Sequence, residues 1–344
     1  MAENTEAQAA TDAAEARHDE FDKFAELPDA PPKRRLKLSW VGKLASAIVI
    51  FWCVLALIGP WIAPYHEADM LAEDSYMPSY YQYTHCKDAE DNPPTMFAGY
   101  CESYDPDLWE FATDEDFAVM WLGSDYLGRD TLSRIIWGAR TTIGIALAAT
   151  LLAYLLGITA GIAAAVKGGL WDMGLSRVND AVLALPTIML GLIVIAAFGS
   201  SIPILIATGG VIYACSVYRI ARALGQDIMV QDFVEAARAR GENVWWVIRK
   251  EVLPNAAMPL ATDFGLRLVF VVLFISSLSF LGLGVQPPTA DWGSMVRENL
   301  GGLGQESYAS VWPALAIASF TISINLIVDD ISAAEGGSLA KKMV

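Results

Sequence analysis

The sequence predicts an all-α polytopic membrane protein with six transmembrane helices. Three observations carry that prediction. The 344-residue chain is 54% hydrophobic and only 18% charged, where a soluble domain averages about 25% charged residues. Its charges leave five uncharged runs: Leu44–Tyr65, Thr141–Val166, Ala181–Tyr218, Leu268–Ala290 and Ser307–Val328. A helix needs about 20 apolar residues to cross the hydrocarbon layer, so four of these runs fit one crossing each. The third is too long for one, and Gly199-Ser200-Ser201-Ile202-Pro203 breaks it into a tight helical hairpin. A soluble apolar core would have to produce all five runs by accident.

The elements follow in order. Residues 1–38 form an acidic tail, rich in Ala, Glu and Asp, that closes on Pro28, Pro31 and Pro32 and lacks the hydrophobicity to pack. The first span covers 39–62. It is retained rather than cleaved as a leader, because an acidic tail precedes it and Pro60 and Pro64 follow in place of a small-residue cleavage site. Segment 63–140 is outer, and its stretch 63–121 is long and rich in Tyr, Pro and acid. The second, third and fourth spans are expected at about 141–166, 179–198 and 202–222, with a helical stretch 226–252 inside the loop 223–255. A fifth span at 257–284, an outer Gly/Pro-rich loop at 285–306, a sixth span at 309–330 and a tail at 331–344 complete the chain.

Orientation comes from the basic residues. Lys33, Arg34, Arg35, Lys37 and Lys43 precede the first span, and Arg219, Arg222, Arg238, Arg240, Arg249, Lys250 and Arg267 cluster around the loop after the fourth. The positive-inside rule puts both groups in the cytoplasm, and an even number of spans then puts both termini there. The net charge of −16 resides largely in the tail and in the outer segment, and no basic patch suited to nucleic acid is present. Cys53 and Cys215 fall in apolar spans as packing residues. Cys86 and Cys101 fall close together in the outer segment, where an oxidising compartment would favour a disulfide over two free thiols.

Within the spans, Gly157 and Gly161 make a small-residue face for close helix packing. Pro186 and Gly191 are positioned to bend the third span. Asp263 and Arg267, four apart in the fifth, are read as a pair that satisfies itself. Asp125, Arg129, Asp130 and Arg134 have the spacing of charge pairs along one amphipathic helix that enters the membrane from a solvated, snorkelling start. His18, His66 and His85 do not form a metal site, no Gly-x4-Gly-Lys-[Ser/Thr] phosphate loop is present, and no nucleophile–base constellation appears. The chain is therefore expected to bind no metal and no ATP itself and to perform no covalent chemistry.

The cytoplasmic loop is the most specific stretch. It reads Gln231-Asp232-Phe233-Val234-Glu235-Ala236-Ala237-Arg238-Ala239-Arg240-Gly241, and continues to Leu253-Pro254. Asp232 is expected to cap a short helix with Glu235 as its reciprocal partner. Gly241 is expected to end it in the left-handed conformation, and Pro254 to break the chain before the fifth span. Arg238 and Arg240 are left available to partners.

The Glu-Ala-Ala, three residues, Gly, and Leu-Pro twelve positions on resemble the EAA loop of ABC importer permeases. A second block, Leu122-Gly123-Ser124-Asp125-Tyr126-Leu127-Gly128-Arg129-Asp130, is similar to the C-type permease subunit of dipeptide, oligopeptide and nickel importers. So are Asp180–Pro186, Ser279–Pro288 and Asp291-Trp292-Gly293. Glu251 stands where that pattern often has an apolar residue, and Asn325–Asp330 lacks the expected Gly-Asp-x-Leu-Arg-Asp run.

The resemblance, over about 35–330, implies a type I ABC importer permease fold with a permease core at 141–330. It implies that Glu235, Ala236, Ala237, Arg238 and Gly241 dock on an ATPase subunit that holds the ATP and Mg. It also implies a second homologous permease, two ATPase subunits or domains and a periplasmic binding protein, all at the bacterial inner membrane. The solute implied is a peptide, a nickel complex or another peptide-like molecule. An ion-gradient-driven transporter is the alternative; it calls for inverted repeats and buried mid-membrane carboxylates, neither of which stands out.

Overall fold

The structure, a computed structural model, describes residues 38–72, 75–76, 120–305 and 307–340. Among the described residues it is helical with two isolated β-bridges, Met70 to Arg129 and Ser124 to Asp130. Five helices are long and apolar enough to cross a membrane, and a bent helix pair supplies the sixth crossing when taken as one span. Large apolar side chains such as Ile50, Leu155, Ile193 and Ile322 stand exposed on these helices, as a lipid-facing surface requires.

Helix α1 (Trp40–Ile62) starts where the Ser39 hydroxyl accepts the Gly42 N–H at 3.1 Å. The N–H of Ser39 reaches Asp330 Oδ2 at 2.7 Å. Trp52 of α1 donates its indole N–H to Ser319 at 2.9 Å and stacks edge-on against Trp292. The first span is thereby fastened to the last.

Helix α2 (Thr131–Lys167) has 37 residues and begins ten residues before the expected 141. Asp130 caps it, accepting the Ser133 N–H at 2.7 Å. Of the charges that delayed the expected start, Arg134 is buried and ion-paired, as detailed below, and Arg140 is exposed. Gly157 and Gly161 do make the close-packing face: a Cβ on Gly157 would press on Val217, and one on Gly161 on the Tyr218 carbonyl. Both partners lie on α5 (Ile202–Met229), the helix against which α2 packs most extensively.

Between them lie α3 (Gly169–Leu183) and α4 (Thr187–Phe198), which meet at 88°. The expected single span 179–198 is thus a bent pair that starts at Gly169. Pro186 sits at the bend, because it has no N–H to offer and restricts the residue before it. Gly191 does not bend the chain. It makes room for the Phe274 ring, which a Cβ would meet at 2.7 Å.

After α5 come α6 (Asp232–Ala239) and α7 (Val244–Val247), a π turn at Ile248–Val252, and α8 (Leu253–Phe280). Pro254 does not break the chain as expected. An α-helical Pro clashes with the carbonyl four residues back. Here a π turn immediately precedes it, with the Leu253 N–H bonded to the Ile248 carbonyl, and the helix runs on from Val244 to Phe280. The outer loop carries α9 (Trp292–Glu298) and a 3₁₀ turn at Leu300–Gln305. Helix α10 (Val311–Ala340) outruns the expected 309–330. One apolar core gathers around Trp292, Phe274 and Phe320; a second, beside α6, includes Val217, Val234, Ala237, Val247 and Val252.

Candidate functional site

Helix α6 is short, so its ends decide whether it holds. Gln231 rather than Asp232 is its N-cap, and no side chain caps it. Asp232 and Glu235 instead lie inside the first turn, where carboxylates oppose the positive end of the helix dipole. At the other end Gly241 adopts φ +84°. The Glu242 N–H bonds to the Ala237 carbonyl at 3.2 Å and the Gly241 N–H to the Arg238 carbonyl at 2.9 Å, the paired bonds of a Schellman closure. Asn243 then caps α7, accepting the Trp246 N–H at 2.8 Å.

The two faces of α6 differ. Val234 and Ala237 are fully buried in the second apolar core. Glu235, Ala236, Arg238 and Gly241 are exposed. Ala237 therefore faces inward, apart from the other four, and lets α6 sit close to the bundle. The outward surface carries four apolar side chains that the spacing argument missed: Val230, Phe233, Val244 and Trp245, with Phe233 41% and Trp245 68% exposed. Arg238, Arg240, Arg249 and Lys250 are exposed around them. The signal was present in the sequence, since Trp245 and Val244 follow directly on the Gly241 turn.

The outer charge motif is a buried cluster and not one helix face. Asp125 lies in a loop, where its carboxylate accepts the backbone N–H of Leu127 and of Arg129 at 2.9 and 3.0 Å and the Arg129 Nε at 2.7 Å. Arg134 comes within 3.3 Å of the same carboxylate. Glu298 of α9 pairs with both arginines, at 3.2 Å from Arg129 and 3.4 Å from Arg134. The four side chains are at most 6% exposed. Gly128 (φ +72°) turns so tightly that a Cβ would run into the Ala72 carbonyl.

Alongside, Asp291 caps α9 through the Ser294 N–H at 3.0 Å and accepts the Thr142 hydroxyl at 2.9 Å. Burial pushes the Asp291 carboxyl above the ordinary range, against the hydrogen bonds from Ser294 and Thr142. Burial likewise raises Asp130, opposed by the Ser133 side chain and backbone. The cluster locks the start of α2 to α9 through the two arginines that Asp125 and Glu298 share.

Three further pairings cross between helices. Arg222 of α5 grips Asp172 of α3 with two bonds, Ser176 meets Tyr218 at 2.9 Å, and Arg219 lies 3.5 Å from Asp180. Deeper in the bundle Asp263 and Arg267 do pair, at 3.2 Å, and Tyr154 of α2 also donates to Asp263 at 2.5 Å. Cys53 and Cys215 are free and partly buried. Cys86, Cys101, His18 and His85 lie outside the described residues. His66 rests against the Trp137 ring at 5.0 Å. Among the described residues no cluster of metal-ligating side chains occurs.

Residues 153–334, from the middle of α2 into α10, match the family model of the binding-protein-dependent transport system inner membrane component. The chain belongs to that family. It is a multi-pass inner-membrane permease of an ABC importer, and the matched span contains the Schellman-closed helix α6. The permease is 31% identical over 209 residues to the glutathione transport system permease protein GsiD of Pectobacterium atrosepticum, covering 61% of this chain and 69% of that protein. It is 29% identical over 296 residues to GsiD of Escherichia coli O6:K15:H31, covering 86% of each. The inward-facing MetNI methionine ABC transporter, native crystal form, aligns at a TM-score of 0.49 with 17% identity, over 59% of this permease and 97% of that chain.

Proposed function

We propose that this permease carries peptide-like solutes inward and that α6 is its contact with an ATPase subunit. The supporting observation is the two-faced geometry of α6. Its inner face, Val234 and Ala237, is anchored in the bundle core, while Glu235, Ala236, Arg238 and Gly241 stand outward beside Phe233 and Trp245. Exposed apolar side chains together with exposed arginines suit a partner surface that is both apolar and acidic. Ala237 acts from inside, by letting the helix approach the bundle.

In this reading two ATPase subunits bind and hydrolyse Mg-ATP below the membrane, and a second, related permease completes the pathway. A periplasmic binding protein delivers the solute from above. Both termini and the loop 223–255 are cytoplasmic, and the segment 63–140 is periplasmic with a Cys86–Cys101 disulfide. The tail 1–38, the core 141–330 and the tail 331–344 keep the divisions read from the sequence. ATPase closure pushes on α6 and switches the spans between inward- and outward-facing. The peptide-like solute class rests on the sequence motifs and on the glutathione permeases named above.

The test is co-purification from detergent of the wild-type permease beside Glu235→Ala and Gly241→Pro, probed for an ATPase and a second permease. Wild type should retain both, and the substitutions should lose the ATPase while keeping the second permease. Wild type that purifies alone, or substitutions without effect, would overturn the docking assignment.

A further inference from the structure

The fifth crossing helix α8 carries two charged residues along Leu253–Phe280, Asp263 and Arg267. Arg267 is 13 residues from the outer end at Phe280, about 20 Å at 1.5 Å per residue. That depth lies inside a hydrocarbon layer about 30 Å thick. Ionised side chains at such depth face a bundle interior or an aqueous cavity, and they mark solute or ion routes.

The pair is not closed on itself. Asp263 is saturated: it takes the Tyr154 hydroxyl at 2.5 Å and the Arg267 Nε at 3.2 and 3.3 Å, and its side chain is 10% exposed. Arg267 spends Nε and Nη2 on that carboxylate, and Nη1 makes no hydrogen bond among the described residues. Its side chain is 19% exposed. An aromatic ring lies beside it. The guanidinium stands 5.9 Å from the Phe270 ring, and Tyr213 of α5 donates to the Phe270 carbonyl at 3.1 Å. Phe270, three residues on from Arg267, is exposed.

We infer that Arg267 is a solute-contact residue of the translocation pathway, where its free Nη1 edge receives the carboxylate of a passing peptide-like molecule. Asp263 and Tyr154 position the guanidinium. They fix Nε and Nη2 and leave the remaining donors directed away from the saturated carboxylate. A planar guanidinium suits a carboxylate, and the neighbouring Phe270 ring offers apolar surface to the rest of the solute. The partial neutralisation by Asp263 keeps the contact weak enough to release its cargo, as a pathway site must. This inference rests on the peptide-like reading proposed above.

The experiment co-expresses the permease with its ATPase, second permease and binding protein and follows cellular uptake of radiolabelled glutathione and dialanine. Arg267→Gln should assemble with its partners like wild type yet lose at least about tenfold in uptake, the scale of one charge-assisted contact. Arg267→Lys should keep most of it. Asp263→Asn/Arg267→Gln removes both charges without stranding either, and its uptake should stay low. Arg267→Cys should regain uptake after modification with a positively charged aminoethyl thiosulfonate but not with a sulfonated one. Wild-type uptake by Arg267→Gln, or recovery in the double variant, would overturn the inference alone and leave a structural ion pair. Wild type that moves neither probe would overturn the peptide-like reading together with the inference.

Discussion

Phe233 gives the docking assignment a number. A phenylalanine side chain buries about 200 Å² when fully covered, so at 41% exposed it has about 80 Å² left to lose. At about 25 cal/mol per Å² that is about 2 kcal/mol. Phe233→Ala should then weaken the permease–ATPase complex about 30-fold. The rest of the side chain is already covered within the permease, so Phe233→Ala should also lower the unfolding temperature, while the core contacts of Val234 stay intact. The assay is titration of the purified ATPase onto nanodisc-held permease, with Leu170→Ala as the comparison. Leu170 is more exposed than Phe233 but lies on α3, away from the proposed contact, and its replacement should leave the affinity unchanged. Affinity within twofold of wild type for Phe233→Ala, or an equal loss for Leu170→Ala, would refute the reasoning.

The inner and outer faces of α6 separate in the same way. Ala237→Leu overpacks a fully buried position and should cost about 1–3 kcal/mol of stability; Ala236→Leu should leave thermal unfolding unchanged while reducing ATPase retention. In the outer cluster, Gly128→Ala must hold a left-handed backbone against the Ala72 carbonyl, and should lower the unfolding temperature by the equivalent of at least about 1 kcal/mol. Asp291 binds its proton more tightly in the fold than in the unfolded chain, so its contribution to stability falls as pH rises from the ordinary carboxylate value through the raised one. Thermal unfolding of Asp291→Asn should therefore gain on wild type between acid and neutral pH; a difference that does not vary with pH would refute the buried-carboxylate argument.

How much of this was legible in the sequence depends on the range of each interaction. Gly241 and the Gly157/Gly161 face were legible, because a left-handed stop and a small-residue stripe are local properties. The start of α2 was not. Arg134 and Arg140 interrupt the apolar run, yet Arg134 is neutralised by Asp125 and by Glu298, the latter 164 residues further on, and no window of sequence shows that. The start of α3 hid for the same reason: Asp172 looks like a loop residue until Arg222 of α5 is seen to bind it. Pro254 misled because the rule against proline holds for an α-helical turn, and the chain supplies a π turn instead. At the candidate docking site the outward residues were legible by motif, while the inward turn of Ala237 and the apolar contribution of Phe233 and Trp245 needed the packing of α6 against the bundle.

The π turn also bears on how movement at the cytoplasmic surface would reach the membrane interior. Val244 to Phe280 is one continuous helix of 37 residues, so Trp245 at the exposed surface and Arg267 in the bundle belong to a single element. They are 22 residues apart, about 33 Å at 1.5 Å per residue. Between α6 and this helix there is little slack, because the connection is closed by the Gly241 bonds and by the Asn243 cap. A loop ending in a broken helix would let α6 shift and dissipate the displacement in backbone torsions. A capped turn leading into an unbroken helix makes the same displacement rotate or translate the element that carries Arg267. In the proposed mechanism the coupling surface and the solute contact are therefore two ends of one lever, and Pro254, which would ordinarily have cut that lever, is accommodated where the helix widens by one residue.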